Sequence, residues 1–251
     1  MNMKMNMKMK KIYPLILLLT GTLFLNSCLG EGNNNYSDTT IVYIDSHAGT
    51  IYGKTLTSRF ITSSQMQLMM PGTFKFFSYA WDEEYGTSMI GEMKVDNVVI
   101  TRDPEDVSLK TLSLSAPPEV EEPDMFLDIS EPYYANNKLF LGDHWLFEYA
   151  YEAKKDEDAV IQFYMVDDPE LGANEVLLEI RLVIEGEPAA GASLTSRTDI
   201  VALNIGPLRS YLEDQSQVKR DVKIQFQYYR KGSTELYKIP NSYILTVGED
   251  A

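Results

Sequence analysis

Of the 251 residues only one is cysteine and two are histidine. A single thiol cannot form an intramolecular disulfide, so each folded unit must be held by an apolar core. With only His47 and His144 a multi-histidine metal centre is excluded, and a Ser-His-Asp triad would have to recruit one of the two from a strand edge. His144, between Asp143 and Trp145, reads as a turn histidine before a strand, and no serine sits in a nucleophile-elbow pattern. Basic side chains are also scarce, 22 Lys and Arg against 37 Asp and Glu. Binding a phosphate backbone depends on Lys and Arg displacing counterions, so nucleic acid is not an expected partner. Past residue 28 no apolar run is long enough to span a bilayer; the longest, Val176 to Ile184, is broken by Glu179 and Arg181.

What is present starts with the placement of that one cysteine. Lys4, Lys8, Lys10 and Lys11 precede an apolar stretch from Ile12 to Leu25, too short to cross a membrane as a helix, and the run Leu25-Asn26-Ser27-Cys28 closes it. This is the pattern of a lipoprotein processing site. Residues 1–27 are expected to be a cleaved signal peptide and Cys28 the lipidated first residue of the mature protein. Two acyl chains suffice for stable anchoring, each CH₂ contributing about 0.8 kcal/mol. Cleavage removes four basic side chains and no acid, leaving 18 against 37, a formal charge of −19. That charge favours solubility and disfavours docking on anionic lipid beyond the anchor. The 224 remaining residues have room for one large domain or two small ones.

Residues 28–39, rich in Gly, Asn, Ser, Glu and Asp, read as a flexible tether. From residue 40 to 115 short strands with period-two alternation are expected: Ile41 to Asp45, Thr50 to Thr57, Gln65 to Met70, Thr73 to Trp81, Ile90 to Val95, Asn97 to Thr101 and Leu109 to Leu114. In the fourth of these Phe74, Phe76 and, after a slip at Phe77, Tyr79 and Trp81 form one packed face with a bulge. Residues 116–135 interleave Pro117, Pro118, Pro123 and Pro132 with acids and carry no basic residue, which predicts a stiff, self-repelling linker in which Met125-Phe126-Leu127 pairs only briefly with a neighbour. Residues 136–251 return to β patterning. Trp145, Phe147, Tyr149 and Tyr151 share one face of a strand and Glu148 and Glu152 the other. Val222, Ile224, Phe226 and Tyr228 repeat this, Ile161 to Val166, Glu175 to Ile184, Asp199 to Ile205 and Ser242 to Val247 add strands, and Gly206 to Asp214 reads as a short helix entered at Pro207. Many strands with frequent turns predict an all-β chain ending in a β-sandwich.

The lipobox, the β-rich first half, the proline-broken middle and the final block resemble the NigD-like lipoproteins. The final block comprises Gly206-Pro207-Leu208, Val222-Lys223-Ile224-Gln225-Phe226-Gln227-Tyr228-Tyr229 and Lys238-Ile239-Pro240. The resemblance implies an N-terminal OB-like small β-barrel over residues 40–115, a C-terminal β-sandwich over 136–251, and a place in the outer envelope of a Gram-negative bacterium. It implies no established activity and carries over no site residues.

Chemical motifs are weak throughout. Gly49-Thr50-Ile51-Tyr52-Gly53-Lys54-Thr55 is one residue short of a phosphate-binding loop and lacks the helix that must follow, and Gly186 to Ser193 has Ala192 where the lysine belongs. The acid clusters Asp82-Glu83-Glu84, Asp156-Glu157-Asp158 and Asp167-Asp168 read as solvated turns rather than calcium ligands. No metal and no cofactor is expected. The aromatics are the remaining clue, since sugar rings stack on Trp and Tyr faces. Trp81 and Trp145 fall on apolar strand faces, whereas Tyr85, beside acids in a turn, and Tyr133-Tyr134, in the linker, are expected to face water as ligand-binding residues. The function expected is a non-enzymatic binding or assembly module for glycans or envelope proteins, held at the outer membrane through Cys28 and facing either side of it. The alternatives are a fimbrial or surface-polymer subunit exchanging Ser242 to Val247 as a strand, and an acid-pair glycosidase.

Overall fold

The computed structural model describes residues 35–134, 138–233 and 235–248. The signal peptide, Cys28 and most of the tether lie outside the described residues. No helix among those described is long and apolar enough to cross a membrane.

The chain is all-β. The first half contributes β1 (Tyr36–His47), β2 (Thr50–Thr55), β3 (Phe60–Thr62), β4 (Thr73–Trp81), β5 (Thr87–Ile90), β6 (Met93–Asn97) and β7 (Val99–Thr111). After these come β8 (Asp128–Ile129), the helical turn α1 (Lys138–Leu141), β9 (His144–Ala153), β10 (Glu157–Val166), β11 (Glu175–Gly186) and β12 (Thr195–Asn204). The helix α2 (Gly206–Gln215), β13 (Arg220–Tyr229), β14 (Leu236–Lys238) and β15 (Tyr243–Val247) complete it. Helix α2 opens at Pro207 as expected, because a proline in the first turn forfeits only an amide that has no helical partner.

Two open mixed sheets result. The ten-stranded sheet runs β5-β6-β3-β2-β1-β4-β7-β12-β9-β8, and the five-stranded one runs β10-β11-β13-β14 with β15 also on β13. Strand β7 joins the halves: its first part pairs antiparallel with β4, and Ser108–Thr111 pair parallel with β12. Among the described residues the first-half strands do not close into a hydrogen-bonded barrel. In the second half β9 and β12 face β10, β11, β13 and β15 across one core that holds Trp145, Phe147, Tyr149, Val201, Leu203, Phe163, Leu178, Ile180 and Phe226. Strand β15 lies antiparallel on its own β13, with Tyr243, Leu245 and Val247 buried.

Several expectations are corrected. The strand expected over Gln65 to Met70 is a 3-10 turn at Met66–Leu68. Met66 drops into the first-half core beside Gly53, where an added Cβ would lie 2.8 Å from its Cε and 2.4 Å from Val42 Cγ1. Gln67 supplies by side chain what a strand would supply by backbone: its Oε1 accepts from Ile51 N at 3.1 Å and its Nε2 donates to Ile51 O at 2.8 Å.

The single packed face expected on β4 is instead two faces. Phe77, Tyr79 and Trp81 pack in the first-half core, while Phe74 and Phe76 point the other way, into a layer with Ile41, Tyr43, Leu141, Leu146 and Ala202. Both faces are apolar because the second half packs on β1 and β4. The bulge is real, but it lies in the pairing with β7, between Phe76 and Tyr79.

The linker expected over 116–135 is stitched into the second half. Phe126 is fully buried, its N donates to Tyr229 O at 2.9 Å and its O accepts from Lys231 N at 2.8 Å. Strand β8 pairs with β9, and Tyr133 forms a bridge to Leu146. Prolines and acids keep most of the segment at the surface, but Phe126 and Ile129 are buried and anchor it to the second half. The tether also ends sooner than expected, since β1 starts at Tyr36.

Candidate ligand-binding cleft

The antiparallel register of β1 and β4 puts Tyr36 opposite Trp81 at one end of the pair, where the described chain begins. Their rings stack at 5.5 Å between centroids with 23° between planes. The Arg59 guanidinium lies 3.9 Å from the Tyr36 centroid, and Tyr36 meets Tyr79 edge-on at 6.0 Å. The Tyr36 hydroxyl donates to Asp96 Oδ2 at 2.8 Å. Burial, followed by that hydrogen bond to a carboxylate, pushes the Tyr36 phenol up to about 12, so the ring is neutral at physiological pH.

Beyond Trp81 the chain makes a 3-10 turn, Glu83–Tyr85, fixed from three sides. Asp82 Oδ1 accepts from Glu84 N at 2.9 Å, Trp81 Nε1 donates to Gly86 O at 3.1 Å, and Asn97 Nδ2 donates to Tyr85 O at 2.9 Å. The turn can close because Gly86 takes a φ of 63°, a region that penalises a side chain. It projects Tyr85 with 44% of its surface exposed. Asn35, Tyr36, Ser37, Ala80, Trp81, Asp82 and Tyr85 line an open cleft of about 290 Å³.

Of the three tyrosines expected to bind ligand, only Tyr85 lines this cleft. Tyr133 is 43% exposed, but its hydroxyl donates to Leu56 O at 2.7 Å and ties the middle segment to the first half. Tyr134 packs its ring 4.5 Å from Trp145 and edge-on to Tyr243, which makes it part of the second-half core. The sequence pattern assigned Tyr36 to the tether and so missed it; Trp81, read as core, does pack on the first-half core and lines the cleft as well. The one signal for Tyr36 was its being the single aromatic in a polar stretch.

His144 is not at the cleft. It sits half-buried between the halves, with ring centroids 5.5 Å from Tyr43 and 5.3 Å from Phe74, and its Nδ1 is 2.8 Å from Leu141 O. Burial lowers its pKa, against the smaller raising effects of the Leu141 carbonyl and Asp143. A wider hollow of about 560 Å³ lies between Lys155, the loop around Gly191, and Arg197. Its guanidinium is committed to backbone, donating to Glu157 O at 2.7 Å and Lys154 O at 2.6 Å. Among the described residues no group of three or more His, Cys, Asp or Glu is placed to hold a metal ion. At the cleft Asp82 is the one acidic residue of the lining, so the arrangement offers aromatic faces and a polar rim rather than a carboxylate pair.

No family model and no curated protein matches the chain. Solved structures do. An uncharacterised protein from Parabacteroides merdae superposes with a TM-score of 0.54 at 14% identity, covering 84% of this chain and 98% of its own. A candidate lipoprotein from Bacteroides fragilis gives 0.52 at 12% identity, with 86% and 99% covered. The neighbours also include a NigD-like immunity protein from Bacteroides caccae, at 0.49 and 12% identity, with 83% and 96% covered. The first two show that the chain shares their fold across nearly its whole described length.

Proposed function

We propose that the chain is a non-enzymatic lipoprotein of the outer membrane, anchored through Cys28, that binds a glycan or protein of the cell envelope in the Tyr36–Trp81–Tyr85 cleft. The cleft carries this reading. It is a shallow, open aromatic cleft framed by paired strands and a hydrogen-bonded turn, and it opens beside the point where the chain leaves its expected anchor. The fold-sharing candidate lipoprotein from Bacteroides fragilis supports an envelope address.

In this reading the first half is OB-like. The antiparallel meander β1-β2-β3, the antiparallel pairing of β1 with β4 and the parallel pairing of β3 with β6 support it, with the Tyr36–Asp96 and Arg59–Asp96 contacts drawing the open edge together. The second half is a β-sandwich, supported by its two facing sheets around one core.

The two tryptophans allow a direct test. Trp145 is 1% exposed, whereas Trp81 is half-buried at the cleft, so acrylamide quenching of fluorescence reports on Trp81. An outer-membrane extract should protect the lipidated wild type from quenching and fail to protect Tyr85→Ala. Equal quenching with and without extract would remove the cleft as a binding surface. Cys28→Ser should shift the protein out of the membrane fraction; retention there would refute the anchor.

A further inference from the structure

Resting on the cleft being the binding surface, we infer that its ligand is a neutral sugar ring, the end of a free oligosaccharide or of a glycolipid headgroup. Four features of the cleft converge on that chemistry. The first is the aromatic surface. Tyr36 already carries Arg59 and Trp81 on its ring, while Trp81 and Tyr85 remain as cleft walls, which is the flat apolar surface that the C–H face of a pyranose covers.

The second is where the polar atoms are. The hydroxyl of Tyr36 and the indole N–H of Trp81 are spent on Asp96 and Gly86, so those two rings offer faces without a spare donor, and the hydroxyl of the exposed Tyr85 belongs with the polar rim. Hydrogen bonding is left to the rim, where Asp82 uses Oδ1 on Glu84 N and retains a second carboxylate oxygen as acceptor, and where Asn35 and Ser37 sit. A ligand with an apolar face and a hydroxyl edge matches this division.

The third is charge. Asp82 lines the cleft and Glu83 and Glu84 follow it in the turn, in a chain with a formal charge of −15, so uronates, sialates and phosphates are repelled. The ring of Tyr36, a position a cationic ligand could use, already carries the Arg59 guanidinium. A neutral ligand meets neither obstacle.

The fourth is size and place. About 290 Å³ is at the bottom of the range of roughly 300–1,000 Å³ for small-molecule pockets, which suits one terminal ring. Asn35 follows Cys28 by seven residues, at most about 25 Å of extended chain, so a glycan rooted in the same membrane is within reach.

The test uses the lipidated mature chain in polyoxyethylene micelles, read by acrylamide quenching of Trp81. Probes are the methyl glycosides of glucose, galactose, mannose and N-acetylglucosamine, phosphatidylcholine vesicles carrying a digalactosyl lipid, glucuronic acid, and choline. At least one neutral glycoside or the glycolipid vesicle should protect Trp81, with affinity falling about tenfold in Tyr85→Ala, the factor that loss of one stacking partner worth about 1.4 kcal/mol produces. Asp82→Asn, which keeps an oxygen for the turn, should fold normally and bind more weakly. Protection by the free glycosides points to an oligosaccharide and protection by vesicles alone to a glycolipid. Protection by choline or glucuronic acid, or by no neutral probe, overturns the inference. An outer-membrane extract oxidised with periodate separates the two failures: if it protects as well as untreated extract, the cleft binds something other than sugar; if neither protects, the binding surface itself is refuted.

Discussion

Phe126→Ala should destabilise the second half far more than its place in a proline-rich, acidic stretch suggests. The ring is fully buried, edge-on to Tyr149 at 6.1 Å and to Tyr228 at 5.6 Å. Removing a buried phenyl leaves a cavity and costs about 3–5 kcal/mol, within which the two edge-to-face contacts contribute about 0.5–1.5 kcal/mol each. For a unit of this size each kcal/mol lowers Tm by about 2–4 °C, so a fall of about 6–20 °C is expected. Near-UV circular dichroism is the suitable assay, since Phe126 packs on Tyr149 and Tyr228 and the second-half core also holds Trp145. Met125→Ala is the matched control: Met125 is 42% exposed, and its loss should cost less than about 0.5 kcal/mol. A fall of under 2 °C for Phe126→Ala, level with the control, would mean that residues 116–134 lie on the second half without being built into it.

Three further perturbations address the rest of the fold. Gly53→Ala places a methyl 2.4 Å from Val42 Cγ1 and 3.2 Å from Ile61 Cγ1, an overpacking that should cost about 1–3 kcal/mol in the urea midpoint of the first half; an unchanged midpoint would contradict the packing around Met66. His144 has a depressed pKa in the folded state because it is buried, so the unfolded chain binds the extra proton first. Its stabilising contribution is complete above the unfolded value of about 6.5 and is lost as pH falls below it, so Tm should drop between pH 7.5 and 5.5 in the wild type and less in His144→Phe, and equal slopes would exclude His144 as the cause. Tyr133→Phe deletes the hydroxyl that donates to Leu56 O, and a loss of about 0.5–1.5 kcal/mol is expected despite the exposure of the ring; a neutral result would show that water replaces the bond.

The all-β class, helix α2 and the inward face of β9 were legible because each is a local pattern: alternation for strands, proline at a helix entrance, four aromatics two residues apart. What escaped was two-sided burial. Ile41-Val42-Tyr43-Ile44 is an unbroken apolar run, and all four side chains are buried, Val42 and Ile44 in the first-half core and Ile41 and Tyr43 against the second half. Trp145-Leu146-Phe147 behaves in the same way, with Leu146 turned toward β1 and β4. A strand covered on both faces loses its alternation, so a period-two reading does not register it. The cleft escaped for a related reason. It depends on a register, Tyr36 opposite Trp81, that only the strand pairing fixes.

That register also explains how one strand pair serves two ends. The layer between the halves grips β1 and β4 through Ile41, Tyr43, Phe74 and Phe76, whereas the cleft sits at Tyr36 and Trp81, five residues farther along each strand. At a rise of about 3.3 Å per residue the two lie about 16 Å apart on the same hydrogen-bonded ribbon. One end is thereby clamped between two cores while the other lies open at the cleft. Rings carried on paired strands are held more closely than rings on loops, and the one loop residue, Tyr85, is tied back through Asn97 and, by way of Gly86, through Trp81 itself. A site whose walls are set by backbone pairing needs little reorganisation to bind, which is the condition under which a shallow aromatic cleft can hold a ligand with few hydrogen bonds.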